Sequence, residues 1–145
     1  MKILVCGGRD YGEQFDRHGL PRDNWVHEVN KLNAVLDAFW KEHRSLTHVI
    51  HGGARGADSL AGSWARRNGI QEVRCEANWD YHERRAGYIR NQAMLDLLGY
   101  RDMVIAFPGG SGTADMVRRA KQDKDINGVI EIKDVSPEDQ SQEQD

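Results

Sequence analysis

Cysteine is scarce in this chain, with Cys6 and Cys75 the only two among 145 residues. Neither a Cys-x-x-Cys nor any zinc-ligand spacing occurs, so no bound metal and no disulfide scaffold is expected. Each cysteine lies in or at the end of an apolar run, where a free thiol acts as a small hydrophobe. Long hydrophobic runs are missing as well. The opening "MKILVCGG" has about five apolar residues before its glycines, too few for a signal peptide or a membrane span. A cytoplasmic setting without membrane contact is the expectation. Neither sign of charge dominates: 20 Lys and Arg face 23 Asp and Glu, for a net charge of −3. A general nucleic-acid binder needs a strong cationic field, so DNA is not an expected partner. A small anion is still allowed, because clustered Arg and backbone N–H groups bind one whatever the net charge. Two phosphate-binding signatures are also absent. Without Gly-x-Gly-x-x-Gly or the Walker pattern, an ordinary dehydrogenase or P-loop NTPase is not expected, and no resident cofactor is implied.

What is present is a regular alternation. The runs "KILVC" (2–6), "THVIH" (47–51), "EVRCE" (72–76), "DMVIAF" (102–107) and "GVIEI" (128–132) are short and rich in β-branched residues. Most are continuously apolar, as strands covered on both faces are. Between them, residues 22–43 place Trp25, Val29, Leu32, Leu36 and Phe39 at helical spacing, and residues 57–68, 86–98 and 112–124 can also be helical. Such alternation predicts βαβ units with right-handed crossovers: a Rossmann-like α/β three-layer sandwich on a mainly parallel sheet of about five strands. With 39% hydrophobic and 30% charged residues, one domain over 1–133 is expected. Residues 134–145 are acidic and polar and are expected to form a disordered tail.

Three of the strands run into double-glycine turns: "CGGRDYG" (6–12), "HGGARGADS" (51–59) and "FPGGSGTAD" (107–115). Ligands of open parallel sheets bind at the carboxyl ends of the strands. Glycine lets backbone approach a ligand, and a helix starting next offers free N–H groups to an anion. One such turn alone is more often only a tight strand–helix connection, but three at one sheet edge favour a phosphate-containing ligand and make Gly7, Gly8, Gly52, Gly53, Ala54, Gly109, Gly110 and Gly112 candidate phosphate-loop residues. Arg9 and Arg55 follow glycine pairs, where a guanidinium can fork onto phosphate oxygens or pair with Asp10 or Asp58. Asp58 can favour the helix dipole or accept from ribose hydroxyls. Ser111 and Thr113 can cap the following helix or donate to phosphate. The segment "ANWDYHERRAGYIRNQAML" (77–95) sets aromatics beside cations, a combination suited to a nucleobase and its phosphate. Trp79, ahead of its helix, is the stacking candidate, and Trp25, Trp40 and Trp64 read as packing residues.

In order and spacing, "VCGGRDY", "HGGARGADSLAGSWA", "NWDYHERRAGYIRNQAML" and "VIAFPGGSGTADMVRRA" resemble the YspA-type branch of the SLOG superfamily over roughly residues 1–133. The resemblance implies a Rossmann-like fold that binds nucleotides or nucleotide-derived molecules, in a superfamily that includes the LOG phosphoribohydrolases and the DNA-uptake protein DprA. It also implies ADP-ribose- or NAD-type ligands, a link to phage or bacterial conflict systems, and a homo-oligomer. "PGGSGT" (108–113) is similar to the phosphoribose loop of the LOG enzymes. "RNQAM" (90–94) is similar to the segment whose Arg assists departure of the base, which gives Arg90 that role and places Asn91 beside it. The LOG pattern ends in a catalytic Glu where this chain has Met116, with Asp115 one position early. One helical position is about 100° of rotation, so Asp115 does not simply substitute. The expected function is therefore binding of a nucleotide-derived small molecule, as a sensor or a sequestering protein. The alternative is a hydrolase or transferase on an N-glycosidic or phosphate bond. Arg90 would then stabilise the leaving group, and Asp115 or Asp10 a ribosyl cation.

Overall fold

The computed structural model describes residues 1–78 and 85–133. Five strands and four helices alternate along them: β1 (Lys2–Cys6), α1 (Trp25–Glu42), β2 (His48–His51), α2 (Ala57–Arg67), β3 (Gln71–Arg74), α3 (Ala86–Leu95), β4 (Met103–Ala106), α4 (Ser111–Gln122) and β5 (Gly128–Glu131). The sheet order is β3-β2-β1-β4-β5, and every pairing is parallel. The expected Rossmann-like α/β architecture is the one observed. Expected strand bounds differ from the observed ones by a residue or two. Trp79 and the aromatic and basic residues beside it at 80–84 lie outside the described residues, as does the expected tail at 134–145.

The continuous apolar character of β1 follows from its central place in the sheet. Ile3 and Val5 pack on one face with Leu32 and Leu36 of α1 and Trp64 of α2, and Leu4 and Cys6 pack on the other with Met94 of α3 and Met116 of α4. Strand β4 repeats the alternation, with Ile105 on the α1/α2 side and Val104 and Ala106 on the α3/α4 side. Successive side chains point to opposite faces, so a strand covered by helices on both sides must be apolar at every position. The edge strands β3 and β5 have only partly covered side chains, which fits their mixed composition. Trp64 is buried, donates from Nε1 to Asp37 Oδ1 at 2.8 Å, and meets Trp40 edge-on at 6.0 Å, which are packing roles. Both cysteines are free thiols, Cys6 buried and Cys75 partly so. Among the described residues, no helix is long and apolar enough to cross a membrane.

The strand order reverses between β1 and β4. The chain leaves β1 toward β2 on one side, then returns after β3 to place β4 on the other. Loops leaving β1 and β4 diverge from such a point and open a crevice at the carboxyl edge.

Candidate functional site

The three glycine loops meet at this edge, stitched by backbone hydrogen bonds. Gly8 donates to the Pro108 carbonyl at 2.8 Å, Ala57 donates to the Gly8 carbonyl at 3.1 Å, and Phe107 donates to the Cys6 carbonyl at 2.8 Å. Several glycines are required simply to let the loops touch. A Cβ on Gly7 would lie 2.6 Å from the Ala57 Cβ, and one on Gly109 would lie 2.7 Å from the Gly8 nitrogen. Between the loops opens a cleft of about 360 Å³. Of the candidate residues it is lined by Gly7, Gly8, Arg9, Ala54, Asp58, Arg90, Asn91, Gly110, Ser111, Gly112 and Thr113. Asp10, Gly52, Gly53, Arg55, Gly109 and Asp115 are not on its wall.

The β2–α2 loop spends its donors internally. Asp58 Oδ2 accepts the N–H groups of Gly52 at 3.0 Å and Ala54 at 3.3 Å, and Gly56 donates to Glu13 Oε1 at 3.1 Å. Gly53 donates to His51 Nδ1 at 3.0 Å, so the proton of this buried imidazole sits on Nε2, which donates to Glu72 Oε2 at 2.6 Å. The hydrogen bonds from His51 and Arg66 hold the Glu72 carboxyl below its ordinary value. The N–H groups of Gly52, Gly53, Ala54 and Gly56 are thus all engaged, which makes this glycine loop a brace.

Asp58 organises the brace at an electrostatic cost. Burial pushes its carboxyl above the ordinary value, opposed chiefly by the Ala54 N–H, then by the neighbouring His51 ring and the Arg90 charge and by the Gly52 N–H. A raised folded-state pKa means that the native state binds the proton more tightly than the unfolded chain. Asp58 therefore lowers stability progressively as pH rises from the ordinary carboxylate value through the folded one. Both accepted bonds use the same oxygen, so Asp58→Asn can keep them without the buried charge. That variant is expected to match wild type within about 1 kcal/mol at neutral pH and to flatten the decline between acid and neutral pH. Asp58→Ala strands two N–H groups and should cost about 2 kcal/mol. Denaturant melts of the three proteins across pH check this.

The β4–α4 loop is built the other way. The first helical bond runs from Ala114 to the Gly110 carbonyl, and no side chain caps the helix. The capping role open to Ser111 and Thr113 in the sequence is thus not taken. The N–H groups of Ser111, Gly112 and Thr113 have no acceptor among the described residues. Nor does packing explain the glycines here, since a Cβ on Gly110 or Gly112 would meet nothing within 4 Å, and Gly110 has a φ of −96°. Glycine inside a helix costs up to about 1 kcal/mol relative to alanine, so Gly112 bares the helix end without a structural return.

Arg90 supplies a partly buried cation. Its Nη1 donates to the Gly52 carbonyl at 2.7 Å and its Nε to Asn91 Oδ1 at 3.3 Å, using two of the five guanidinium N–H groups. Asn91, buried, donates through Nδ2 to the Gly112 carbonyl at 3.1 Å and to Asp115 Oδ2 at 3.0 Å, so it positions the α4 end. Asp115 is also held by Arg118 at 2.6 Å and Arg119 at 2.8 Å. Burial raises its carboxyl, but hydrogen bonds from Asn91, Arg119 and Arg118 outweigh it and leave it below the ordinary value. Asp115 thus ties α3 to α4, and Met116 is fully buried in the core beneath them. Arg55 is taken up by the Phe15 carbonyl at 2.7 Å and by Glu13 at 3.6 Å, with Asp10 at 4.0 Å. Asp58 is not its partner. Cys6 reaches the cleft wall, but burial and Asp58 push its thiol far up against the pull of Arg90, which leaves it an inert thiol.

The structure adds residues that sequence reasoning had not selected. Arg17 and Tyr88 line the cleft, along with Gly87 and Met94. Tyr88 lies in the aromatic-and-basic segment, and that composition could have pointed to it. Arg17 sits in a loop without a motif and gives no such signal. A wider, open depression of about 910 Å³ runs over the sides of α3 and α4 and adjoins the cleft, sharing Tyr88 and Ser111 with it.

Fold and cleft together define a Rossmann-like domain with an uncapped helix end and arginines at its switch point. Residues 1–82 match the model of the YspA, cpYpsA-related SLOG family, and the chain belongs to that family. The matched stretch spans the first two glycine loops. The chain is also similar to the Gene 61 protein of Mycobacterium phage D29, at 33% identity over 105 residues, which cover 68% of this chain and 82% of the phage protein. No solved structure matches the chain.

Proposed function

We propose that this protein binds a nucleotide-derived small molecule in the β1/β4 cleft, of the ADP-ribose or NAD type or another nucleotide, and acts as a sensor or a sequestering protein. The observation that carries the reading is the start of α4: three N–H groups without acceptors among the described residues, beside two glycines that the packing of those residues does not require. An anion there gains hydrogen bonds and the favourable end of the helix dipole. Arg90 adds a charge-assisted donor on the same wall. Tyr88, exposed at the cleft, offers a ring to a base. Family membership supports nucleotide-related chemistry.

Binding is preferred over hydrolysis because Asp58 and Asp115 are otherwise engaged and Asp10 is not among the residues lining the cleft. Asp115 is saturated between helices, Asp58 is spent on its loop, and Met116 faces the core. Calorimetry with AMP, ADP-ribose, NAD and cyclic nucleotides is expected to find a saturable ligand, and mass spectrometry of co-purifying small molecules to name its class. Failure of the whole set to bind would remove the reading. Release of free base or ribose phosphate on prolonged incubation would replace it with the hydrolase.

A further inference from the structure

Helix α3 is apolar on both of its sides. The inner side packs Met94 and Leu95 into the core with Leu4 and Val104 of the sheet. The outer side carries Tyr88, Ile89 and Ala93, all exposed, on the wall of the open depression beside α4. A helix with apolar residues all round is ordinarily covered all round. On the same wall lie Arg85, Gln92 and Asp96, so positions 85, 88, 89, 92, 93 and 96 form one stripe at helical spacing. Arg85 and Asp96 flank α3 with helical backbone conformations, one at each end of the stripe.

Both end charges work against the helix that carries them. A helix dipole favours anions at the N-terminus and cations at the C-terminus, the reverse of Arg85 and Asp96. Among the described residues neither forms an ion pair, and the Asp96 carboxylate accepts a neutral bond from Gln92 at 2.8 Å. The other arginines of this face are engaged, since Asp115 holds Arg118 at 2.6 Å and Arg119 at 2.8 Å. The stripe is also self-complementary. Arg85 and Asp96, Tyr88 and Ala93, and Ile89 and Gln92 are pairs that share one midpoint, between Arg90 and Asn91. A two-fold axis through that point lays a second α3 antiparallel on the first. Opposite charges then meet at both ends, and a large ring meets a small side chain between them.

We propose that the outer side of α3 is the interface with a second copy of this chain, antiparallel across a two-fold axis, with Arg85 paired to the partner's Asp96 and Asp96 to the partner's Arg85. The second copy then stands at the rim of the cleft, because Tyr88 and Ser111 line both the depression and the cleft. The contact does not depend on what the cleft binds. Sedimentation velocity of wild type, Arg85→Asp, Asp96→Arg and the double exchange tests it. Wild type is expected to dimerise with a dissociation constant of about 1 μM or tighter. Each single substitution brings like charges together at both ends of the contact and should weaken the dimer about thirtyfold or more. The double exchange restores opposite signs and should return the affinity to within about threefold of wild type. Every variant improves the match to the helix dipole at the changed end, so folding is expected to hold, and circular dichroism checks it. A wild type still monomeric at about 100 μM, single substitutions that leave the dimer intact, or a double exchange no tighter than the single ones would overturn the proposal.

Discussion

Gly56→Ala is expected to destabilise the protein by about 3 kcal/mol and lower its thermal midpoint by about 10 °C. Gly56 has a φ of +82° and a ψ of −130°, a region that side chains with a Cβ rarely enter. A methyl group there would run into the Gly8 carbonyl oxygen and stand 2.6 Å from the Arg9 carbonyl carbon, both backbone atoms that cannot rotate away. The collision would also disturb the Ala57 to Gly8 bond that joins two of the three loops. Thermal and urea melts read the loss. A midpoint within 2 or 3 °C of wild type would mean that the loop edge is far more compliant than its hydrogen bonds imply.

Gly112→Val should produce the opposite pair of results. Its Cβ enters open space, and valine is no worse than glycine in a helix, so the melting midpoint should stay within about 2 °C of wild type. Affinity for AMP should fall about thirtyfold or more, because the branched side chain stands where a phosphate would approach the Ser111, Gly112 and Thr113 N–H groups. Calorimetry and melts on one preparation separate the effects. Unchanged affinity in a folded variant would take the α4 end out of the site. Together the two substitutions distinguish glycine kept for packing from glycine kept for access.

That distinction was not legible in the residues. "HGGARGADS" and "FPGGSGTAD" look equivalent as glycine turns after strands, and both were reasonable phosphate loops. They differ because Asp58, His51 and Glu13 take the N–H groups of Gly52, Gly53, Ala54 and Gly56 in the first, whereas those of Ser111, Gly112 and Thr113 in the second have no acceptor among the described residues. Glu13 and Gly56 are 43 residues apart, so no local pattern announces their bond. The same holds for Arg55 and Arg17. Each is a basic residue in a polar loop, and only the folded chain makes one a clamp and leaves the other loosely held at the cleft.

By itself the sequence determined the architecture. Continuous apolar runs of four to six residues can be satisfied only by burial on both faces, and helical periodicity between them supplies the covering layers. It also determined that glycine-rich turns would gather at one edge, because parallel strands place all their carboxyl ends together. The tertiary structure decided which turn kept its N–H groups, that Asp115 joins two helices instead of lining the cleft, and that Met116 belongs to the core. The reason is one of range. Strand and helix patterning is written in neighbours two to four residues apart, but the satisfaction of a polar group depends on partners that only the packed chain brings within hydrogen-bond distance.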